Sequence, residues 1–573
     1  MGKRAFARSA RRGLFYNLLS MKDCQILGRT PRRLRRLFGV LTLLQPFLSA
    51  APAQEKKATA SSPKDVKACC GAENQARQKR ISKRADVKRF AARAEAILAT
   101  PPADKADWGI LVVDAESDDT LYEQSADKYF VPASNMKLFT TALALAKLGP
   151  EYRFHTTLEA RGQLTPEGRL DGDLVLVGRG DPNLSNRKFP FVKQPEQDGP
   201  PDKVLIELAD AAVSKGLREI AGDVVADDSN FPPERYPNGW EIDDMVWSYG
   251  AAVSAIAVND NTVTLTLQPG ARPGDPATFV LEPWTAEFQV RCDVLTVAAG
   301  VKSDLTLTRE PGAPLVLIRG LLPVSAEPRK LVLAVEEPAE HAAALLRRLL
   351  EERGVKVHGA ARAQHEAPGA GTAVGDPLVL AEHVSVPLGD AVQAINKMSL
   401  NLHTEMLLRA AARQNGPWGT PDDLAKFAAD FYAIVGIAPG DVMQADGSGL
   451  SRRDLVTPRA IVTLLEFASK QPWFSVFESS LPVAAEDGTL ADRMKNTPAA
   501  GHIHAKTGSV EHVRSLSGFV ETLSGHRLIF SILSNNEGAK NQDATAVLDA
   551  LCVAMVEELG QRAKAAAKHP HKP

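Results

Sequence analysis

A hydroxyl and an amine lie three residues apart in the chain, at Ser134 and Lys137. At that spacing both side chains project from one face of a helix's first turn. A serine is a poor nucleophile until a neighbouring base takes its proton, and a lysine can be that base if burial or positive neighbours lower its pKa. The helix N-terminus would also favour negative charge that develops nearby. The pair therefore predicts covalent catalysis, with Ser134 as nucleophile and Lys137 as proton acceptor.

Two further motifs make this pattern specific. By itself the S-x-x-K spacing is weak, because it recurs at three other places: Ser61–Lys64, Ser125–Lys128 and Ser185–Lys188. Ser399-Leu-Asn401 supplies a second hydroxyl and an amide. The third motif supplies a second ammonium and consists of Lys506, Thr507, Gly508 and Ser509. All three motifs in this order, the first opening a helix and the last opening a strand, are far more specific than any one of them.

The elements that must position these residues can be predicted from hydrophobic periodicity. Pro132–Leu148 is predicted as a helix that ends at Gly149-Pro150, and Trp108–Asp114 as a strand. Helical periodicity also covers 339–353, 388–414 and 422–435, and a break within the second of these ranges is predicted at Ser399–Asn401. The C-terminal part is predicted as strands 516–520 and 527–533 followed by a helix over 544–559. Between about Arg153 and Glu336, short alternating runs broken by Gly, Pro and Asp predict a β-rich insert.

Composition excludes several classes of protein. The chain has 573 residues, 44% of them hydrophobic, so it can form more than one core. Its 68 Lys and Arg against 69 Asp and Glu give a net charge of -1, which argues against general nucleic-acid binding. No H-E-x-x-H motif or paired C-x-x-C occurs, so neither a metal nor a cofactor is predicted. Cys69 and Cys70 are adjacent in a polar segment, and Cys552 lies in an apolar helical pattern that favours burial.

The N-terminus has the pattern of an export signal. Arg32–Arg36 is basic, Leu37–Ala50 is largely apolar, and Ala51–Ala53 offers small residues for cleavage before Gln54. We therefore predict a signal peptide over 1–53. The alternative is an uncleaved N-terminal membrane anchor, and Met21 is an alternative start. Residues 54–88 are predicted as a flexible leader, and 561–573 as a disordered basic tail.

The sequence around the motifs resembles one family. Besides the three motifs themselves, the resemblance is carried by the sequence around the first motif and by three further segments: Val131–Lys137, Gly172–Pro182, Ile220–Ser229 and Asp446–Ser451. They are similar to the D-alanyl-D-alanine carboxypeptidase/endopeptidase family of the penicillin-binding protein 4 type, which belongs to the serine penicillin-recognising enzymes. The resemblance spans about Lys88 to Glu558. It implies an α+β fold, with a β-lactamase/DD-peptidase-like catalytic domain of an antiparallel sheet flanked by helices plus a helical subdomain.

The same resemblance implies two β-rich domains inserted after the nucleophile helix. The distance of 265 residues between Ser134 and Ser399, obtained as 399 − 134, agrees with such inserts. We assign the catalytic domain to 89–155 and 336–560. One inserted domain is assigned to 156–169 with 236–335, and the second to 170–235.

Roles follow from the resemblance residue by residue. Ser134 would attack the carbonyl of a terminal D-Ala-D-Ala bond, and Lys137 would accept its proton. Ser399 would relay a proton toward the leaving amine and link Lys137 to Lys506, while Asn401 would hold the substrate's amide. Lys506 and Thr507 would receive the terminal carboxylate. Gly508 belongs to the same binding strand, and the backbone N–H groups of Ser134 and Ser509 would form the oxyanion hole.

The predicted partners are peptidoglycan stem peptides, with β-lactams as covalent inhibitors. The predicted location is the periplasm, with membrane contact only through an uncleaved signal and no nucleic acid. Two alternatives are a β-lactamase, for which no E-x-x-L-N segment follows Ser399–Asn401, and a non-catalytic wall-binding protein of the same fold.

Other polar and aromatic residues receive structural interpretations. Asp446–Gly449 is predicted to be a turn that shapes the edge of the cleft rather than a catalytic element. Asp181 and Asp223 are interpreted as loop or turn carboxylates, and His403 as a packing histidine. Core burial is favoured over glycan contact for three aromatic residues, Trp240, Trp247 and Tyr249.

Overall fold

The computed structural model describes residues 76–189, 191–192, 197, 199–283, 288–366, 377–416, 420–538 and 541–560. The predicted signal peptide, Cys69, Cys70 and the C-terminal tail lie outside these residues. Within the described ranges, no helix is long and apolar enough to span a membrane.

The elements follow one another in three groups along the chain. The first group precedes the inserts and consists of α1 (Ala85–Leu98), β1 (Asp107–Asp114), β2 (Thr120–Gln124) and α2 (Met136–Leu148). The second group is the inserted region and consists of β3 (His155–Leu164), β4 (Arg169–Val177), α3 (Lys203–Ser214), β5 (Glu219–Ile220), β6 (Val224–Asp227), β7 (Thr262–Gln268), β8 (Thr278–Glu282), β9 (Gln289–Val297), β10 (Asp304–Arg309), β11 (Leu315–Pro323), β12 (Arg329–Ala334), α4 (Pro338–Glu352), β13 (Lys356–Val357), β14 (Ala361–Gln364) and β15 (Leu378–Val384). The third group returns to the catalytic domain and consists of α5 (Leu388–Met398), α6 (Asn401–Asn415), α7 (Pro421–Val435), β16 (Val442–Met443), β17 (Leu455–Val456), α8 (Pro458–Ser469), α9 (Phe474–Ser480), β18 (Ile503–Val510), β19 (Val513–Glu521), β20 (Arg527–Asn535) and α10 (Asn541–Glu558).

Both ends of the chain build the catalytic sheet. Its five strands are antiparallel in the order β18-β19-β20-β1-β2. Strand β20 shows why the sheet is covered on both faces: Leu528 and Phe530 enter one core with α1 and α10, whereas Ile529 and Leu533 enter a second core with α2 and α8. Side chains alternate across a strand, so an apolar run of this kind requires helices on both sides. The α+β catalytic domain is confirmed.

The leader prediction is wrong at its C-terminal end. The residues from 76 to 81 are helical, and α1 begins at Ala85 rather than after Lys88. Val87, Phe90 and Ala94 are buried against the catalytic sheet and α10. The Lys and Arg residues between them occupy the exposed face, which made an amphipathic helix resemble a polar leader.

The boundaries predicted for the inserts also need correction. A boundary at 169/170 would separate β3 from β4, yet these strands form a hairpin in which Leu164 pairs with Leu170. Strand β15 pairs with β3, and β13 and β14 pair with β5 and β6, so these three strands belong to the sheet of the insert and not to the catalytic domain. Helices α3 and α4 share its core, so this insert is mixed α/β. Alternation predicts strands, but it does not show which strands pair.

The second insert is β-rich, as expected. Strands β7 to β12 form two three-stranded sheets, in the orders β12-β7-β8 and β10-β11-β9. Their common core includes Val263, Leu265, Val316 and Ile318. This insert is nested in the first one, between β6 and α4.

Candidate active site

Ser134 lies in a single 3-10 turn, Ala133–Asn135, that leads into α2. Ala133 has a φ of 48°, in the left-handed region that costs an L-residue about 1–2 kcal/mol. Two hydrogen bonds from the sheet hold the turn: Ser515 Oγ donates to the Pro132 carbonyl at 2.7 Å, and Asn135 Nδ2 donates to the Lys506 carbonyl at 2.9 Å. The catalytic sheet thereby fixes the position of the predicted nucleophile.

Gly508 allows strand β18 to approach this turn. A Cβ at position 508 would lie 2.0 Å from Ser515 Oγ, 2.8 Å from the Pro132 carbonyl oxygen and 3.0 Å from the Ser134 backbone nitrogen. Any larger residue would displace the strand, which is the physical reason for glycine in the third motif. Ser509 follows directly and is exposed at the cleft.

Lys137 is fully buried and donates to three oxygens. Its Nζ lies 3.0 Å from Ser134 Oγ, 2.6 Å from Asn401 Oδ1 and 2.7 Å from the Ser448 carbonyl oxygen. Burial lowers the pKa of Lys137 to about 8, against the opposing effect of nearby carboxylates. A substantial fraction of the amine is therefore neutral just above neutral pH.

The identity of the acceptors directs the lone pair of the neutral amine. A neutral amine has two N–H groups, and a carbonyl or amide oxygen can only accept. The oxygens of Asn401 and Ser448 therefore take both N–H groups of Lys137. The lone pair is left facing Ser134 Oγ, whose hydroxyl can donate. This arrangement is the one a general base requires.

Ser399 and Lys506 form the second hydroxyl–amine pair. Lys506 Nζ donates to Ser399 Oγ and to the Thr507 carbonyl, both at 2.9 Å. Lys506 is fully buried, and burial together with the charge of Lys137 lowers its pKa well below the ordinary value. Ser399 ends α5 in the left-handed conformation, with φ 61° and ψ 46°, so the predicted break between two helices is confirmed.

The predicted bridge from Ser399 to both lysines needs correction. In the described structure Ser399 is hydrogen-bonded to Lys506, whereas the acceptor beside Lys137 is Asn401. Asn401 Nδ2 donates to the Tyr249 carbonyl at 2.9 Å, so the Asn401 amide links Lys137 to the inserted region. Asn401 is the first residue of α6, so its side chain lies just after the break at Ser399.

A cleft of about 490 Å³ opens onto the site. Its lining residues include Ser134, Ser399, Asn401 and Ser509. The segment between β6 and β7 supplies another wall, formed by Glu241, Asp243, Asp244 and Tyr249. Tyr249 is 47% exposed, so burial was the wrong prediction for it. The buried part of the Tyr249 side chain and the neighbouring Asp244 carboxylate raise the pKa of Tyr249 to about 12, so its hydroxyl stays protonated.

Thr489 is a site residue that the motifs did not reveal. Its Oγ1 lies 2.7 Å from Thr507 Oγ1, on a loop next to β18. Lys397 holds that loop by binding both carboxylate oxygens of Asp487, at 2.8 and 2.6 Å. No local pattern predicts Thr489, because 18 residues separate it from Thr507.

The remaining polar predictions agree with the structure. His403 is 3% exposed, and its Nε2 lies 2.7 Å from Asp260 Oδ1, so it is a partnered packing histidine. Asp181 accepts the backbone N–H of Asn183, as a turn carboxylate does. Asp223 accepts the N–H of Ala360 and pairs with Arg362.

The structure also agrees with the predictions for Trp240, Trp247 and Cys552. Trp240 is buried and donates to Asp446 at 2.8 Å, and Trp247 packs at the edge of the β-rich core. Cys552 is buried in α10, as expected, and Cys292 is half-buried in β9; both are free thiols. Gly449, at the end of the predicted Asp446–Gly449 turn, lines the cleft.

Comparison with known proteins decides the family. Residues 90–555 match the D-Ala-D-Ala carboxypeptidase 3 (S13) family. The chain belongs to the S13 family. A D-alanyl-D-alanine carboxypeptidase of Actinomadura sp. (strain R39) is 34% identical over 484 residues, which are 83% of this chain and 86% of that protein. The D-alanyl-D-alanine carboxypeptidase DacB of Haemophilus influenzae is 26% identical and covers 74% of this chain and 84% of its own length.

Solved structures with the same fold include a penicillin-binding protein. The crystal structure of penicillin binding protein 4 (dacB) from Haemophilus influenzae has a TM-score of 0.69 and 23% identity, over 81% of this chain and 98% of that one. The chain therefore shares that fold. The family match and the carboxypeptidase relatives confirm the predicted enzyme class, a D-Ala-D-Ala carboxypeptidase.

Proposed function

We propose that this S13 enzyme hydrolyses the terminal D-Ala-D-Ala bond of peptidoglycan stem peptides through an acyl-enzyme on Ser134. The observation that carries the proposal is the 3.0 Å contact between Ser134 Oγ and Lys137 Nζ. The other two hydrogen bonds of Lys137 Nζ go to the oxygens of Asn401 and Ser448. The S13 match and the carboxypeptidase relatives supply the substrate class.

Acylation begins with neutral Lys137. As Ser134 Oγ attacks the carbonyl of the penultimate D-Ala, its proton moves to Lys137, and the resulting ammonium is stabilised by Asn401, Ser448 and the buried carboxylates nearby. The backbone N–H groups of Ser134 and Ser509 stabilise the oxyanion. Each such donor contributes about 2.7–4 kcal/mol in serine hydrolases. Gly508 supports this role because its strand lies directly beside the Ser134 nitrogen.

Expulsion of D-Ala requires a proton for the leaving amine. Lys506 is disfavoured as a cation in the free enzyme because of burial and Lys137. The substrate's terminal carboxylate, bound beside Lys506 and Thr507, would favour the protonated form of Lys506. Ser399 can then donate its hydroxyl proton to the amine and recover one from Lys506 at 2.9 Å. The substrate's own charge thereby prepares the proton donor.

After D-Ala has left, the Lys137 ammonium loses to solvent the proton that it took from Ser134. The neutral amine then takes a proton from the water that hydrolyses the ester, and this proton passes to Ser134 Oγ as the acyl group leaves. In a β-lactam the cleaved ring stays attached to the acyl group and obstructs the approach of that water. We therefore propose that β-lactams acylate Ser134 and leave slowly. A solved complex of the Haemophilus influenzae penicillin binding protein 4 with a novel β-lactam is consistent with such binding in that fold.

We also propose that the protein works in the periplasm. Support comes from the basic and apolar run before Gln54 and from the location of the substrate. Expression of the whole chain with a C-terminal reporter, followed by cell fractionation, tests this location. Reporter activity retained in the cytoplasm would contradict it.

The decisive experiment combines a fluorescent penicillin with a peptide ending in D-Ala-D-Ala. We expect a long-lived adduct, located on Ser134 by mass spectrometry of the digested protein, and release of D-Ala from the peptide. Ser134→Ala is the control and should show neither. Rapid loss of the adduct with accumulation of hydrolysed drug would instead indicate a β-lactamase. Absence of any adduct on folded protein would indicate a non-catalytic wall protein.

A further inference from the structure

Two buried carboxylates, Glu405 and Asp446, enter the steps above only through their charge near Lys137. Glu405 lies on α6 and is 2% exposed, and Asp446 lies in the loop after β16 and is 3% exposed. An ionised carboxylate is costly to bury unless donors surround it. The donors around these two residues therefore indicate what the carboxylates hold in place.

Most of those donors are backbone N–H groups of one loop; Asp446 also accepts from the side chains of Trp240 and Ser448. Glu405 accepts the N–H of Gly447 at 2.8 and 3.0 Å and the N–H of Ser448 at 2.7 Å. Asp446 accepts the N–H of Gly449 at 2.6 Å and that of Ser451 at 2.8 Å. The backbone of 447–449 is therefore fixed from two sides by side chains of different elements.

The Ser448–Gly449 peptide connects this arrangement to the base. A trans peptide is planar, and its C=O and N–H point in opposite directions. The N–H of Gly449 points to Asp446, and the carbonyl of Ser448 accepts from Lys137 at 2.7 Å. Rotation of this one plane would break both hydrogen bonds. The carboxylate of Asp446 therefore determines where a ligand of Lys137 lies.

The loop is also packed against the nucleophile turn. Gly449 has a φ of 81°, and a Cβ there would lie 1.8 Å from the Ala133 carbonyl oxygen. Thr140, one turn further along α2 than Lys137, donates to the Gly447 carbonyl at 2.7 Å. The loop is thus anchored to the helix that carries both Ser134 and Lys137.

We propose that Glu405 and Asp446 are positioning residues for acylation, which hold the Ser448 carbonyl where it accepts an N–H of Lys137 and so direct the amine's lone pair at Ser134. The inference deepens the proposed function, since it rests on Ser134 as nucleophile and Lys137 as base. It assigns a purpose to the Asp446–Gly449 turn beyond shaping the cleft.

The charges around the pair determine how the test must be interpreted. The carboxylates of Glu405, Asp446 and Asp454 all raise the pKa of Lys137 against the effect of burial. Glu405 itself is faced by Asp446 and by Arg409, and burial together with the charge of Asp446 raises the pKa of Glu405 above its ordinary value. The charge of Lys137 in turn lowers the pKa of Lys506. Removing the charge of Glu405 should therefore lower the pKa of Lys137.

The test compares Glu405→Gln and Glu405→Leu in the full-length protein. Glutamine keeps one acceptor oxygen for the loop but removes the charge, whereas leucine removes every acceptor. Glu159→Gln is a matched control, because Glu159 is 6% exposed and lies in β3 of the insert. Stopped-flow measurements with a fluorescent penicillin give the dissociation constant of the initial complex and the limiting acylation rate at each pH. Urea unfolding reports the stability of each variant.

We expect Glu405→Leu to lower the limiting acylation rate about 100-fold, the size expected for a misplacement of about 1 Å, with the initial dissociation constant little changed. Glu405→Gln should keep more of that rate and move the acid limb of the pH profile to lower pH. Glu159→Gln should alter neither. A folded Glu405→Leu variant that acylates like the parent would overturn the proposal.

If Glu405→Leu does not fold, the acylation kinetics of Glu405→Gln test the positioning role instead. A plateau rate and an acid limb identical to those of the parent would then also reject the positioning role. The proposed function is tested separately by the parent protein. Absence of an adduct on Ser134 of the parent would reject that function whatever the variants do.

Discussion

Asn401 Oδ1 lies 2.6 Å from Lys137 Nζ, closer than Ser134 Oγ, which lies 3.0 Å away. The amide oxygen of Asn401 is therefore the nearest hydrogen-bond acceptor of the Lys137 amine. A neutral amide oxygen accepts an N–H without adding charge, which keeps the pKa of Lys137 close to the physiological range.

Asn401→Asp should raise the pKa of Lys137, because a carboxylate beside an ammonium favours the charged form. The acid limb of the acylation rate should move to higher pH, and the rate at pH 7 should fall about tenfold for every pH unit that the limb moves. Acylation by a fluorescent penicillin across the pH range measures this. Recovery of the rate at high pH separates the effect from misfolding, and an unmoved acid limb would contradict the assigned contact.

The unmodified enzyme should itself acylate faster as pH rises through about 8, the pKa of Lys137. Only the neutral amine can take the proton of Ser134, and below its pKa the lone pair is occupied. The limiting acylation rate, measured between about pH 6 and 9, should therefore fall about tenfold per pH unit on the acid side. A rate that is constant with pH, or falls as pH rises, would exclude neutral Lys137 as the base.

Gly508→Ala should abolish most acylation while the protein stays folded. The added Cβ meets Ser515 Oγ at 2.0 Å and the Ser134 nitrogen at 3.0 Å, so β18 must shift away from the nucleophile. A displacement of the Ser509 N–H by about 1 Å should cost on the order of 100-fold in acylation rate. Gly416→Ala is the matched control, since its nearest contact would be an ordinary 3.7 Å. Equal acylation rates for the two variants would show that the close approach is unimportant.

The sequence predicts the catalytic motifs because their chemistry is local. Ser134 and Lys137 share a helical turn, and the break at Ser399 separates two helices whose periodicity is visible on each side. The contacts of Ser448, Glu405 and Thr489 could not be predicted, since each is made between elements distant in the chain. The boundaries of the inserts were missed for the same reason. Strand β3 pairs with β15, more than 200 residues later, and alternation carries no information about that partner.

Ser399→Gly should raise the stability of the protein and lower its activity. Ser399 has a φ of 61° at the end of α5, a position where glycine is the preferred residue. Glycine relieves a left-handed penalty of about 1–2 kcal/mol, partly offset by its larger entropy in the unfolded chain, so the free energy of unfolding should rise by up to about 1 kcal/mol.

The same substitution removes the hydroxyl that Lys506 contacts at 2.9 Å. Release of D-Ala should then fall by about 10²–10⁴-fold, the usual contribution of a positioned proton donor. Urea unfolding and D-Ala release, measured on the same preparation, test both effects, with Ser399→Ala as the variant that loses the hydroxyl but keeps the backbone penalty. If the Ser399→Gly enzyme is less stable than the Ser399→Ala enzyme, the backbone of residue 399 is not strained. If the Ser399→Gly enzyme keeps full turnover, the Ser399 hydroxyl is not the proton donor to the leaving amine. Residue 399 has a backbone conformation that favours glycine. A serine is expected there if its hydroxyl lowers the activation barrier by more than its strained backbone lowers the free energy of unfolding.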